Sequence, residues 1–84
     1  MSKILGIIGG GQLGMMITEA AQKMPEEIAK IIVLDPTENC PAAQVGADQI
    51  VADFKNEKAI QELAEKSDII KNLKIDNIPS KNCV

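Results

Sequence analysis

Ile4-Leu5-Gly6-Ile7-Ile8-Gly9-Gly10-Gly11-Gln12-Leu13-Gly14 is the stretch that decides the fold. Its apolar run is too continuous to alternate, which is the pattern of a parallel strand covered on both faces. The run collapses into three glycines and then into helical spacing, predicting a buried strand, a tight turn and a helix N-terminus. Gly9 permits the sharp turn, Gly11 leaves room for a ligand to approach the backbone, and Gly14 lets the helix pack against the strand. The helix start offers free N–H groups and a partial positive charge, both suited to an anion. The spacing is G-x-G-x-x-G, and Asp35 follows the last glycine by 35 − 14 = 21 positions, about where a dinucleotide-binding domain places its acid.

Beyond the glycines, Leu13, Met16, Ile17, Ala20, Ala21 and Met24 recur at helical spacing until Pro25 stops the helix. This stripe predicts Leu13, Ile17 and Ala21 against the sheet, with Met16 and Met24 in the core. Ile31-Ile32-Val33-Leu34 reads as a second strand ended by Asp35-Pro36, and a right-handed crossover makes it the parallel neighbour of the first. Pro41-Ala42-Ala43-Gln44-Val45 predicts a single helical turn with proline in first position, ended by Gly46. Gln49 to Ala52 is a third strand. Asn56 then caps a helix running through Ile60, Leu63 and Ala64 to about Lys66, and Asp68-Ile69-Ile70 begins a fourth strand. Lys55, Glu57, Lys58, Glu62, Glu65 and Lys66 form the solvated face of that helix, with Glu62 and Lys66 an i,i+4 pair. The expected architecture is α/β, a Rossmann-like open parallel sheet ordered third, second, first, fourth strand.

Composition narrows the function. At 84 residues this is one small domain with a thin core, and Phe54 is its single aromatic residue. The net charge is −3 and all nine basic residues are lysines, so no arginine is present to grip phosphate bidentately or to read bases. A nucleic-acid partner is not expected. The absence of histidine removes the commonest general base and a common transition-metal ligand, and no catalytic residue or metal ligand is assigned. Cys40 and Cys83 match no C-x-x-C spacing and read as packing or loop residues in a reducing cytoplasm. No apolar stretch approaches the ~20 residues that cross a bilayer, so no membrane partner is expected.

Three blocks carry a closer match than the bare glycine fingerprint: Gly9-Gly10-Gly11-Gln12-Leu13-Gly14-Met15-Met16, Val33-Leu34-Asp35-Pro36, and Cys40-Pro41-Ala42-Ala43-Gln44-Val45-Gly46-Ala47-Asp48. Together they resemble the N-terminus of the N5-carboxyaminoimidazole ribonucleotide synthetase family, over about Lys3 to Ile70. The resemblance implies residues 1–70 as a Rossmann-like pre-ATP-grasp domain, with 71–84 as a divergent or incomplete tail. It implies the substrate side of an ATP-grasp ligase of purine biosynthesis, which carboxylates 5-aminoimidazole ribonucleotide with bicarbonate and ATP through carboxyphosphate. ATP and Mg2+ are implied for the full-length family, with ligands in later domains and no cofactor held by this chain. Its partners would be 5-aminoimidazole ribonucleotide or a related phosphate-bearing molecule and the ATP-grasp domain, with a homodimer as one assembly open to the full-length family. After Ile70 the family's T-x-E-x-E segment and N-x-P turn give way to Lys71-Asn72-Leu73-Lys74-Ile75-Asp76-Asn77-Ile78-Pro79, which sets Lys74 where an acid belongs. A truncated gene product, an altered reading frame or a deliberately shortened chain would have this form.

The candidate substrate- and phosphate-binding residues are Gly10, Gly11, Gln12, Leu13, Gly14, Asp35 and Gln44. The N–H groups around Gly11, Gln12 and Leu13 face a phosphate, and the Gln12 amide can donate and accept. Asp35 reads either as an acceptor for a ribose or other polar substrate group, or as a turn acid before Pro36. Gln44 reads either as a site residue reached from the Pro41 turn or as an exposed helical glutamine. Besides the ligase fragment, a stand-alone NAD(P)- or nucleotide-binding module and a non-functional remnant fit the sequence.

Overall fold

The computed structural model describes residues 3–73; Lys74, the Asp76-Asn77-Ile78-Pro79 segment and Cys83 lie outside the described residues. The elements alternate as β1 (Lys3–Ile8), α1 (Gln12–Gln22), β2 (Ile28–Asp35), α2 (Pro41–Gln44), β3 (Asp48–Val51), α3 (Glu57–Lys66) and β4 (Ile69–Asn72). Every strand pairing is parallel and the sheet order is β3-β2-β1-β4, the order expected from the sequence. No helix among the described residues is long and apolar enough to cross a membrane.

The unbroken apolar runs follow from a sheet with both faces covered. Leu5, Ile7, Ile31 and Val33 point to one face and pack with Ala21, Cys40, Ala42 and Ala47. The intervening Ile8, Ile32 and Leu34 point to the other and pack with Ala59 and Leu63. Alternate residues thus serve two cores, and no polar position is left in between. Gly6 falls on the α3 side, where a Cβ would collide with the Ser67 side chain and with Ile70.

Helix α1 departs from the expected packing. Its buried positions are Gly14, Thr18 and Ala21, with Ile17 packed beside them, while Leu13 is 59% exposed and Met16 52%. The contact line lies roughly a quarter turn from the large apolar stripe. The cause is how closely the helix sits: a Cβ at Gly14 would lie 2.5 Å from the Gly9 carbonyl oxygen, so only small residues fit along the contact. The Thr18 hydroxyl is satisfied within the helix, donating to the Gly14 carbonyl at 2.8 Å. Met24 is not core either: it follows the helix end, 44% exposed, in a turn where its carbonyl accepts the Glu27 and Ile28 N–H groups.

Helix α3 starts where its cap residue predicts. The Asn56 side-chain oxygen accepts the Ala59 N–H at 3.1 Å, and Leu63 is fully buried one turn further on. At its other end Lys66 Nζ lies 2.8 Å from Glu62 Oε2, and this hydrogen-bonded carboxylate raises the Lys66 pKa above its ordinary value. Asn56→Ala is expected to lower stability by about 1 kcal/mol and Asn56→Asp by much less, read from urea denaturation midpoints.

Candidate functional site

Strand β1 ends at Ile8, and Gly9, with φ 108°, turns the chain while its N–H donates to the Leu34 carbonyl at 2.9 Å. That left-handed conformation is one that side chains rarely adopt. Gly11 is the N-cap of α1, and its carbonyl accepts the Met15 N–H at 2.9 Å, the first bond of the helix. The N–H groups of Gln12, Leu13 and Gly14 consequently have no acceptor inside the helix. No side chain caps this end and its first turn carries no acid.

The residues that carry these N–H groups border a cavity of about 240 Å³ lined by Gly9, Gly11, Gln12, Leu13, Gly14 and Leu73. It lies at the carboxyl ends of β1 and β4, where open α/β sheets receive their ligands. Among the described residues the lining carries no charged side chain. Apart from its chain neighbours, a Cβ at Gly11 would meet no atom of the described residues within 4 Å, whereas at Gly14 it would strike backbone. The two glycines therefore have different uses, one leaving open space and the other permitting close packing.

Gly10 and Asp35 sit behind the turn rather than on the cavity. Gly10 is buried, and a Cβ there would lie 2.5 Å from Cys40 Sγ and 2.9 Å from Val33 Cγ2. Its N–H donates to Asp35 Oδ2 at 2.8 Å, and its carbonyl accepts the Ala42 N–H at 3.1 Å. Asp35 is 8% exposed, and its other oxygen, Oδ1, accepts the Thr37 N–H at 2.8 Å. Gln44 is exposed and outside the cavity lining, with Nε2 donating to the Asn39 carbonyl at 3.0 Å. The structure thus brings Gly11, Gln12, Leu13 and Gly14 together on one cavity, joins Gly10 to Asp35, and leaves Gln44 apart.

Residues that the sequence did not single out complete the arrangement. Gln49 fastens the loop after β2: its Nε2 donates to the carbonyls of Asp35 (3.2 Å) and Thr37 (2.6 Å), and its Oε1 accepts the Cys40 N–H (3.3 Å). Leu73 supplies the β4 side of the cavity, held by its N–H on the Ile8 carbonyl at 3.0 Å. The Asp-Pro-Thr run was a legible signal for the Thr37 contact, since an aspartate commonly accepts the N–H two residues on. Gln49 and Leu73 carried no such local signal. Among the described residues, no group of three or more His, Cys, Asp or Glu side chains is placed to hold a metal ion.

Comparison with known proteins gives this geometry a lineage. The chain is 48% identical over 66 residues to N5-carboxyaminoimidazole ribonucleotide synthase of Staphylococcus aureus, which spans 79% of this chain and 17% of that protein. A crystal structure of an N5-carboxyaminoimidazole ribonucleotide synthetase in complex with ADP superposes with a TM-score of 0.77 at 54% identity, over 84% of this chain and 18% of that one. The Aspergillus clavatus enzyme, solved with ADP and 5-aminoimidazole ribonucleotide, superposes with a TM-score of 0.74 at 29% identity, over 92% of this chain and 22% of its own. This chain therefore spans about a fifth of the length of the relatives it matches. The ribonucleotide synthetase preATP-grasp domain model matches residues 1–84, the glycine turn, the Asp35 strand end and the Pro41 helical turn among them, and the chain belongs to that family.

Proposed function

We propose that this chain is the substrate-side domain of an ATP-dependent ligase that carboxylates 5-aminoimidazole ribonucleotide with bicarbonate in de novo purine biosynthesis. One observation carries the reading: the uncapped N-terminus of α1 opens, through Gly11, into a cavity at the carboxyl end of the sheet. Backbone N–H groups in that position suit a phosphate, and the Gln12 amide adds a neutral donor and acceptor. On this reading Gly11, Gln12, Leu13 and Gly14 contact it, a choice supported by their lining of the cavity. Gly10 and Asp35 support the turn from behind, and Gln44 lies to the side. The relatives solved with ADP, or with ADP and 5-aminoimidazole ribonucleotide, support the choice of substrate and the use of ATP by the whole enzyme.

Among the described residues the cavity lining carries no charged side chain, and in a working enzyme cations from the other domains would add to what the backbone N–H groups contribute. Binding to this domain by itself is therefore weak, and ATP turnover, with its Mg2+, belongs to the ATP-grasp part in a cytoplasmic enzyme. The nicotinamide alternative fits the site less well. It needs the acid after β2 to receive a ribose, and Asp35 is buried, with a backbone N–H on each oxygen.

Chemical-shift titration of the isotope-labelled chain with 5-aminoimidazole ribonucleotide and, separately, with NAD tests the reading. Shifts at Gly11 to Gly14 with the ribonucleotide are expected, together with no phosphate release from ATP by the chain alone. Shifts with NAD only would point to the dinucleotide module, and silence with both would overturn ligand binding altogether.

A further inference from the structure

We infer that Asp35 is a positioning residue whose carboxylate holds the glycine turn in its ligand-ready shape rather than touching the ligand itself. The inference rests on the phosphate-binding reading of the turn and names the group that sets its geometry.

The carboxylate has a distinct neighbour on each oxygen, Gly10 N–H on Oδ2 and Thr37 N–H on Oδ1, both at 2.8 Å. At 8% exposure it has little surface left for a ligand, and it is absent from the cavity lining. Its own placement is firm. It closes β2 in register with Val51 of β3, and Gln49 fixes the loop beyond it through the Asp35 and Thr37 carbonyls. Gly10 has no side chain to anchor it, so its N–H bond to Asp35 and its carbonyl bond from Ala42 N–H are the ties that fix the second glycine of the turn. Gly11, which opens α1 onto the cavity, follows directly. Moving Gly10 therefore redirects the N–H groups of Gln12 and Leu13.

Two acceptors are needed at once, and an ionised carboxylate supplies both. An asparagine of the same shape supplies one acceptor and one NH2 group, and that NH2 must face either the Gly10 or the Thr37 N–H. Charge-assisted bonds of this kind are the stronger class, so losing one displaces the turn.

The test uses the full chain and two probes, inorganic phosphate and 5-aminoimidazole ribonucleotide, with wild type and Asp35→Asn compared by chemical-shift titration. A positioning role predicts that Asp35→Asn weakens both probes by the same factor, about tenfold, and shifts the Gly9 to Gly14 amides before any probe is added. A loss confined to the ribonucleotide would make Asp35 a ligand contact and overturn the inference. Unchanged binding of both probes with an unmoved turn would overturn it as well. Through-hydrogen-bond scalar coupling in the wild type needs no variant: the Gly10 and Thr37 amide nitrogens should each couple to the Asp35 side-chain carboxyl carbon. Absence of either coupling refutes the paired hydrogen bonds, even if Asp35→Asn does not fold. If wild type binds neither probe, the phosphate-binding reading fails, while the couplings and the shifted turn still decide whether Asp35 sets the turn.

Discussion

Adding a single methyl group at Gly14 is expected to lower the stability of this domain by about 3 kcal/mol, at the upper end of what overpacking costs. The helix itself would welcome the change, because alanine is better than glycine in a helix interior by about 1 kcal/mol. The contact decides otherwise. A Cβ at this position lies 2.5 Å from the Gly9 carbonyl oxygen, which is backbone and cannot rotate away. To relieve the overlap, α1 must lift off the end of β1, taking Thr18 and Ala21 out of a core in which they are almost wholly buried. Chains of this size are stable by roughly 4–13 kcal/mol, so the loss is a large share of the whole. Urea denaturation of Gly14→Ala should show a lowered midpoint with an unchanged slope. A midpoint equal to that of wild type would mean that helix and turn separate without penalty.

Gly11→Val is expected to do the reverse, sparing the fold and removing ligand binding. Apart from its chain neighbours, no atom of the described residues lies within 4 Å of a Cβ at Gly11, and its φ of −74° is open to any residue. The stability change should stay within about 1 kcal/mol, the usual scale for exchanges at a helix N-cap. Binding should fall by more than tenfold, a loss above about 1.4 kcal/mol, because the branched side chain enters the space through which a ligand meets the N–H groups. Thermal unfolding and a 5-aminoimidazole ribonucleotide titration of the same sample separate the two effects. Binding equal to wild type would show that no ligand approaches the backbone there.

The contrast between these two glycines shows what the sequence could convey. Strand order, the cap at Asn56, the proline-started turn and the parallel pairing were all legible, because each depends on a local pattern or on the handedness of a crossover. Helix α1 was placed correctly, and of its three expected contacts Ile17 and Ala21 hold while Leu13 does not. Hydrophobic periodicity assumes that the largest apolar residues make the contact, and here the short distance between helix and strand puts Gly14, Thr18 and Ala21 at the closest approach, with Ile17 beside them. Leu13 and Met16 are displaced to the surface by that geometry rather than by any polarity of their own, and Met24 lies in the turn after the helix. The candidate site shows the same limit. The glycine spacing announced a turn and a helix start, and Asp-Pro-Thr signalled the Thr37 contact, but no spacing rule shows that the other Asp35 oxygen accepts the Gly10 N–H from 25 residues away. Gln49 was invisible for a related reason: its three partners in the 35–40 loop lie nine or more residues away along the chain.

The position of β1 between β2 and β4 also has a consequence for synthesis on the ribosome. Leu5 pairs with Ile31 on one side and with Ile69 on the other, so the strand made first must wait for the last strand of the described sheet. At about 5–20 residues per second, several seconds separate the emergence of its two partners. During that interval β1, β2 and β3 can assemble with α1 and α2, while the open edge of β1 offers unpaired peptide groups to any neighbouring nascent chain. Gly6 and Ile8 lie on that strand, and β4 ends the exposure by pairing them with Ile70 and Asn72.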